Sequence, residues 1–172
     1  INLSLLKKSL TKNTILELGI GRGVTSSTFS EHFNKHTVIE GSKAVIRNFQ
    51  EKYPSSKATL IEGYFENFEA DEKFDSIVMG FVLEHVSDPV FILKKYKKFL
   101  KPKGQLFIAV PNAEVLNRRV GQIAGLLDNL EELGEHDHLL GHQRYYTVNS
   151  LESDIVKSEY TVSSIEGVFL KP

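Results

Sequence analysis

Glu17, Gly19, Gly21, Gly23 and Glu40 are the residues whose types and spacing first suggest chemistry. The stretch TILELGIGRGVTSS, starting at Thr14, reads as a short buried strand, a glycine-rich turn and the opening of a helix. Such a turn lets a ligand lie against bare backbone, and the helix start offers free N–H groups and partial positive charge. The glycines run G-x-G-x-G. The dinucleotide fingerprint G-x-G-x-x-G needs a glycine where Val24 stands, and the loop lacks the lysine of G-x-x-x-x-G-K-[ST]. Taken alone, the turn also fits a bland loop with chance glycines. The two acids sharpen the reading. Glu17 lies inside an otherwise apolar strand, where a carboxylate is costly unless partnered. Glu40 ends a second apolar run about 20 residues beyond the loop, where an acid can accept hydrogen bonds from ribose hydroxyls. By itself Glu40 is equally a solvated strand end.

A second group lies further on. His85, in LEHV, has the side chain best suited to proton transfer near neutral pH. Its plainer role is to pack or hydrogen-bond at a helix start. Glu84 reads as structural or as lying near a cofactor. The segment GEHDHLLGHQRYY gathers His136, Asp137, His138 and His142. These could ligate a metal, but the spacing matches no metal motif, so none is expected. The segment reads instead as part of a binding pocket. Arg144 suits a carboxylate or phosphate, with Tyr145 beside it, or else Arg144 simply holds the loop.

The elements that must position these residues alternate. Strands are expected over Thr14–Leu18, His36–Gly41, Lys57–Gly63, Lys73–Gly80 and Gln105–Asn112, and helices over Thr25–Phe33 and Ser42–Tyr53. Ser42 is a candidate N-cap. Asp88 and Pro89 start a further helix, with Ile92, Tyr96 and Phe99 on one face, and LKPKG closes it. Lys94, Lys95, Lys97 and Lys98 form a solvated face. TVNSLESDIVKS reads as a late helix and YTVSSIEGVFL as a late strand. VLNRRVGQIAGLL (Val115–Leu127) reads as a lid helix or as an amphipathic helix packed on the core. Apolar strands alternating with helices imply an α/β, doubly wound, mostly parallel sheet with helices on both faces. One domain over 1–172 is expected, with 113–146 as an irregular, lid-like region.

Composition bounds the rest. The 172 residues are 41% hydrophobic and 25% charged, ordinary for a globular chain. The net charge of -1 gives no basic field of the kind that drives nucleic-acid binding. With no cysteine, disulfides, thiolate metal sites and cysteine nucleophiles are excluded. There is no apolar run long enough to span a membrane. A cytoplasmic setting is expected. The chain opens at Ile1 and stops at GVFLKP, so a piece of a longer protein, shortened at its C-terminus, is also expected.

ILELGIGRG resembles the first motif of class I S-adenosylmethionine-dependent methyltransferases, [DE]-x-G-x-G-x-G. The resemblance continues through VIEG, EGYFENF and FDSIVMGFVLEHVSDPVFILKKYKKFLKPKGQLFIAVPN. LEHV followed by DP, and LKPKG, are specific to a group that includes the quinone-biosynthesis-type methyltransferases. GHQRYYTVNSL is similar to the late H-x-R-x-[FY]-T stretch of that group. The match covers Thr14 to Leu151. It implies a Rossmann-like fold binding S-adenosylmethionine, with S-adenosylhomocysteine as product.

The resemblance also implies roles. Gly19, Gly21 and Gly23 pass under the methionine part and ribose, Glu17 orients the loop and the cofactor's amino group, and Glu40 grips the ribose hydroxyls, with Gly41 and Ser42 beside it. Tyr64, Phe65 and Glu66 border the adenine. Tyr64 stands where many relatives carry Asp, so Glu66 or backbone is left to meet the adenine amine. Gly80 and Phe81 lie near the methionine. The acceptor is met by His85, Asn112, His138, His142, Arg144 and Tyr145, with His85 as the candidate base. The covalent route to carbon-5 of cytosine is closed without cysteine, and MGFV lacks the Asn/Asp-Pro-Pro-aromatic motif used on exocyclic amines. A small molecule is left: a sugar, a quinone precursor or another metabolite, methylated on oxygen, nitrogen or carbon, by an enzyme for which a homodimer is allowed. The alternatives are a nicotinamide-dependent oxidoreductase and a non-catalytic cofactor-binding protein.

Overall fold

The computed structural model describes residues 13–167. These divide into two compact units, one of 13–80 and 95–109, the other of 81–94 and 110–167.

The first unit is built on β1 (Thr14–Leu18), β2 (Lys35–Glu40), β3 (Thr59–Glu62), β4 (Phe74–Gly80) and β5 (Leu100–Ala109). Their order is β3-β2-β1-β4-β5, and every pairing is parallel. β1 is central, and Ile15, Leu16 and Leu18 are wholly buried, as an inner strand of a sheet covered on both faces requires. Two helices link the first three strands, α1 (Val24–His32) and α2 (Lys43–Lys52). They pack on the face that carries Ile15, Glu17, His36 and Val38. Phe29 of α1 meets Ile15 and Val78, with Phe33 and Phe107 beside them. Phe49 of α2 meets Ile20 and Val38, with Val45, Ile46 and Tyr53 around them. The alternate residues Leu16, Leu18, Ile39, Ile77 and Met79 are buried on the opposite face.

Local signals explain the boundaries. Ser42 caps α2, its Oγ accepting the Val45 N–H at 3.3 Å. Gly23 precedes α1 at φ 79, and a Cβ there would come 2.7 Å from Phe49 Cδ2. Only glycine fits that close crossing of α2. At the strands' other end, Asp75 Oδ2 accepts from the Thr14 hydroxyl at 2.7 Å and from Lys101 Nζ at 2.8 Å.

That contact marks a correction. LKPKG does not close a helix: Leu100–Gly104 opens β5. Leu100 pairs with Phe74 and Gln105 with Ser76, so the residues between loop out of register, with Lys103 at φ 64. A bulge of this kind breaks the period-two pattern that marks a strand. β5 also stops at Ala109, short of Asn112. The other expected strands and helices of this unit stand within one or two residues of their predicted bounds.

In the second unit, Asp88 Oδ1 accepts the Phe91 N–H at 2.9 Å and starts α3 (Pro89–Lys97), whose last turn belongs to the first unit. Then follow α4 (Leu116–Ile123), α5 (Glu135–Leu139) and α6 (Val148–Lys157). Thr147 caps α6, accepting the Ser150 N–H at 3.1 Å. Tyr160 donates to the Leu93 carbonyl at 3.2 Å. The late strand is not formed over 161–167, which carry no regular structure, and 168–170 lie outside the described residues. α4 is shorter than expected and does not bury its apolar stripe: Leu116, Val120 and Ile123 are 52%, 55% and 87% exposed.

Candidate functional site

The glycine loop is held by backbone and by one carboxylate. Gly19 donates to the Ile39 carbonyl at 2.8 Å, and Gly23 to the Ile20 carbonyl at 3.0 Å. Glu40, ending β2, accepts the Ile20 N–H on Oε2 at 3.1 Å and the Ser42 N–H on Oε1 at 2.8 Å. Its carbonyl accepts from Gly63 at 3.1 Å. Its side chain thus fastens the loop after β1 and the start of α2, and its backbone carbonyl the turn after β3. Each carboxylate oxygen has about two lone-pair sites, so both keep acceptor capacity for a ligand.

The other first-unit residues gather at the same strand ends. Gly41 leaves room for the Tyr64 ring, 3.6 Å from where a Cβ would stand. Tyr64 itself is 69% exposed. Phe65 and Glu66 form a single 3-10 turn with Asn67, and the Phe65 carbonyl accepts from Tyr96 at 3.1 Å. Gly80 ends β4.

Glu17 has a partner that sequence reasoning missed. Its Oε2 lies 3.0 Å from His36 Nε2, and the two side chains are 5% and 1% exposed. Burial pushes the Glu17 carboxyl up, and His36 opposes that. The cost of an unpaired acid in an apolar strand was the available signal. Nothing in the sequence says which residue answers it, because the pairing runs between strands.

In the second unit, Phe81 follows β4 at φ 59, uncommon for a bulky residue. Five consecutive carbonyls come after it. Arg144 donates to Leu83 at 2.8 Å, to Val86, and to Ser87 at 3.2 Å. Gln143 donates its backbone N–H to Glu84 at 2.7 Å and its side-chain amide to His85 at 2.8 Å. Arg144 therefore holds the loop, one of its two expected roles, with its guanidinium engaged by carbonyls.

The loop so held carries Glu84 and His85. Glu84 is 1% exposed, and neither carboxylate oxygen has a hydrogen-bond partner among the described residues. Burial raises its pKa to about 7, against its own N–H and the Arg144 charge. His85 is exposed, its Nδ1 3.3 Å from the Gly141 carbonyl, and desolvation keeps it below the usual imidazole range. The His85 and His142 rings meet edge to face at 4.8 Å. His142 Nδ1 lies 3.4 Å from Asp137 Oδ1, which also accepts from the Tyr145 hydroxyl at 2.8 Å. Against its burial, the Gly134 N–H and that hydroxyl hold Asp137 below the usual carboxylate range.

Glu84, His85 and His142 bring one donor atom each within 4.8 Å of one another. Their donor types suit a divalent cation. The sequence reading placed its weak metal option on His136, His138 and His142. Here His136 and His138 are exposed on α5, and only His142 joins the cluster. Asn112 is exposed, its Oδ1 accepting the Glu114 N–H at 2.8 Å. Asp137, which faces His142, was named from sequence only as a possible metal ligand, and Gln143, which holds the 83–87 loop, was not singled out. Their partners are visible only once the loop folds.

The parallel sheet in the order β3-β2-β1-β4-β5, with the glycine turn and Glu40 at the carboxyl ends of its central strands, is the Rossmann-like fold of class I methyltransferases. The chain belongs to the methyltransferase domain family, whose model matches residues 2–164.

It is 34% identical over 105 residues to the ubiquinone biosynthesis O-methyltransferase of Parvibaculum lavamentivorans, covering 60% of this chain and 40% of that protein. It is 31% identical over 116 residues to the enzyme of the same name from Pasteurella multocida, covering 60% and 48%. The chain thus spans less than half the length of these relatives. An S-adenosylmethionine-dependent methyltransferase from Mesorhizobium loti shares the fold with a TM-score of 0.71 at 16% identity, covering 95% of this chain and 82% of that one. The N-methyltransferase NodS of Bradyrhizobium japonicum, solved with S-adenosylhomocysteine, gives 0.57 at 24%, covering 67% and 60%.

Proposed function

We propose that this chain is a methyltransferase domain that uses S-adenosylmethionine to methylate a small molecule. Both units serve one domain in this reading, and the family match over 2–164 supports that. The observation that carries it is the Glu40 clamp. A carboxylate that fixes the loop through two N–H groups, and still has lone pairs to offer, suits a ribose diol.

When bound, S-adenosylmethionine supplies a methyl group on a sulfonium, which a nucleophile displaces directly, so position and shielding matter most. The backbone from Gly19 to Gly23 runs beside the methionine part and ribose, with Glu17 toward the amino group. Gly41 and Ser42 flank the ribose, Tyr64, Phe65 and Glu66 border the adenine, and Gly80 and Phe81 lie toward the methionine. An acceptor that must lose a proton gives it to His85 or His142, with Asn112, His138 and Tyr145 as further contacts. Asp137 faces the His142 imidazole at 3.4 Å, the Gly141 carbonyl meets His85, and Arg144 keeps the loop that carries His85 in place.

A sugar, a quinone precursor or a related metabolite fits as acceptor. The ubiquinone-pathway relatives favour methylation on oxygen, and the NodS likeness keeps nitrogen open. No nucleic acid is involved, consistent with the near-zero net charge, and the setting is cytoplasmic. Among the described residues no helix is long and apolar enough to cross a membrane.

Calorimetric titration of S-adenosylmethionine, S-adenosylhomocysteine and NAD into the wild type and Glu40→Ala tests this. The expected result is binding of both adenosyl ligands, at least about tenfold weaker in the variant, a loss of roughly 1.4 kcal/mol, with no NAD binding. NAD binding in their place would establish the nicotinamide reading, against which Val24 at the third fingerprint position already argues. Adenosyl binding without product across an acceptor panel would favour a binding-only protein.

A further inference from the structure

His36 occupies an unusual place for an imidazole. It is 2% exposed, in the interior of β2, beside an acid that is 3% exposed. Its ring stands edge to face with Phe29 at 5.8 Å and 84°, and Phe29 is itself edge to face with Phe33 at 5.5 Å. Phe29 is packed on Ile15 and Val78. Phe29 thus covers one side of the buried ring. Phe29 belongs to α1, the helix that follows the glycine loop, so one run of contacts links Glu17, His36 and the element that sets the loop.

The hydrogen-bond inventory fixes the proton. His36 Nδ1 is buried and has no partner among the described residues, whereas Nε2 faces Glu17 Oε2 at 3.0 Å. A buried N–H left unpaired is costly. The arrangement that leaves none is a neutral imidazole with its hydrogen on Nε2, donated to a Glu17 carboxylate. Around the pair, α1 brings Phe29 and Ser26, whose hydroxyl also acts on the Glu17 carboxyl, and β4 brings Val78. None of these is ionisable, and among the described residues His36 is the one titratable group that acts on Glu17.

We propose that His36 is a positioning residue of the cofactor site, holding the Glu17 side chain as an aimed anion for the cationic amino group of the ligand. This rests on the methyltransferase reading. His36 does not touch the ligand itself. It acts through Glu17, by donating to the one carboxylate oxygen from a buried ring that Phe29 covers on one side.

The test is calorimetric titration of S-adenosylhomocysteine into wild type, His36→Gln and His36→Leu from about pH 6 to 8, because a buried carboxyl that loses its donor is pushed further up. Wild-type affinity is expected to be flat. His36→Gln still offers an N–H and stays flat within about threefold. His36→Leu removes the donor, so Glu17 takes up a proton more readily. Its affinity falls roughly tenfold at the acid end and returns as pH rises.

A folded His36→Leu whose profile runs parallel to the wild type, whether unchanged or uniformly weakened, would overturn the inference and leave His36 a packing residue. Should His36→Leu not fold, the ring nitrogens of wild-type His36 decide by NMR: hydrogen on Nε2 supports the inference and hydrogen on Nδ1 alone overturns it. Wild type that binds no S-adenosylhomocysteine at any pH would sink the cofactor reading itself, and this inference with it. That failure is distinct from a parallel profile on a tight wild-type baseline.

Discussion

Glu40 Oε2 accepts the Ile20 backbone N–H at 3.1 Å across the turn that separates β1 from α1. With the Ser42 N–H on its other oxygen, the side chain spans two junctions. Glu40→Gln keeps the size but puts an NH2 against one of two N–H donors. We expect a stability loss of about 1–3 kcal/mol, read as a lower urea midpoint. Faster amide exchange at Ile20 or Ser42 is expected with it. A midpoint equal to that of the wild type, with both amides still protected, would show that the clamp contributes nothing.

Gly23→Ala and Gly21→Ala separate crowding from backbone strain. Both glycines have positive φ, 79 and 55, and a left-handed residue with a Cβ costs roughly 1–2 kcal/mol. At Gly23 the new methyl also meets Phe49 at 2.7 Å and Tyr53 at 3.0 Å, whereas at Gly21 nothing lies within 4 Å. Gly23→Ala should therefore lose clearly more stability in chemical denaturation. Equal losses would mean that α2 gives way freely.

Arg144→Ala removes the donor to three carbonyls of the 83–87 loop. A loss of roughly 2–4 kcal/mol is expected, since buried acceptors are left unpaired. S-adenosylhomocysteine affinity should stay within about twofold, because the proposed cofactor contacts of the first unit are untouched. An unchanged urea midpoint would return Arg144 to the acceptor-binding role that its chemistry also allows.

Glu84 predicts a pH dependence with a definite sign. Its folded pKa, about 7, lies above its ordinary value of 4.5. Between those values the unfolded chain ionises Glu84 while the folded one keeps the proton. Stability then falls as pH rises from about 4.5 to 7, by up to roughly 3 kcal/mol. Glu84→Gln should lose that slope, gaining on the wild type at pH 8 and not at pH 4.5. Parallel pH curves for the two proteins would show that Glu84 is already ionised in the fold.

Much of the first unit was legible because its signals are local. Thr14–Leu18 is an apolar run bounded by glycine, and Ser42 and the Asp88–Pro89 pair mark helix starts within a turn of sequence. LKPKG was misread for the opposite reason. Its strand identity comes from Phe74 and from the Asp75 contact with Lys101, more than twenty residues away, and its bulge erases the alternation. The α4 stripe shows the limit of periodicity: spacing says that Leu116, Val120 and Ile123 share a face, but not that anything covers it. At the site, Glu17 stood out as an acid inside an apolar strand and Glu40 as an acid at a strand end. His36 and Gln143 did not, and Asp137 stood out only as a possible metal ligand, because each takes its role from a partner that only the fold supplies.

The seam between 83–87 and 141–144 has an evolutionary consequence. All five carbonyls are met by Gln143 and Arg144, with His85 resting on Gly141. None of those bonds uses a residue from 113–133. A lineage that rewrites that stretch gives up its own ties, Ala113 donating to the Tyr146 carbonyl at 2.7 Å and Arg118 lying over the Tyr145 ring at 4.2 Å, but none of the bonds of the joint that carries Glu84 and His85.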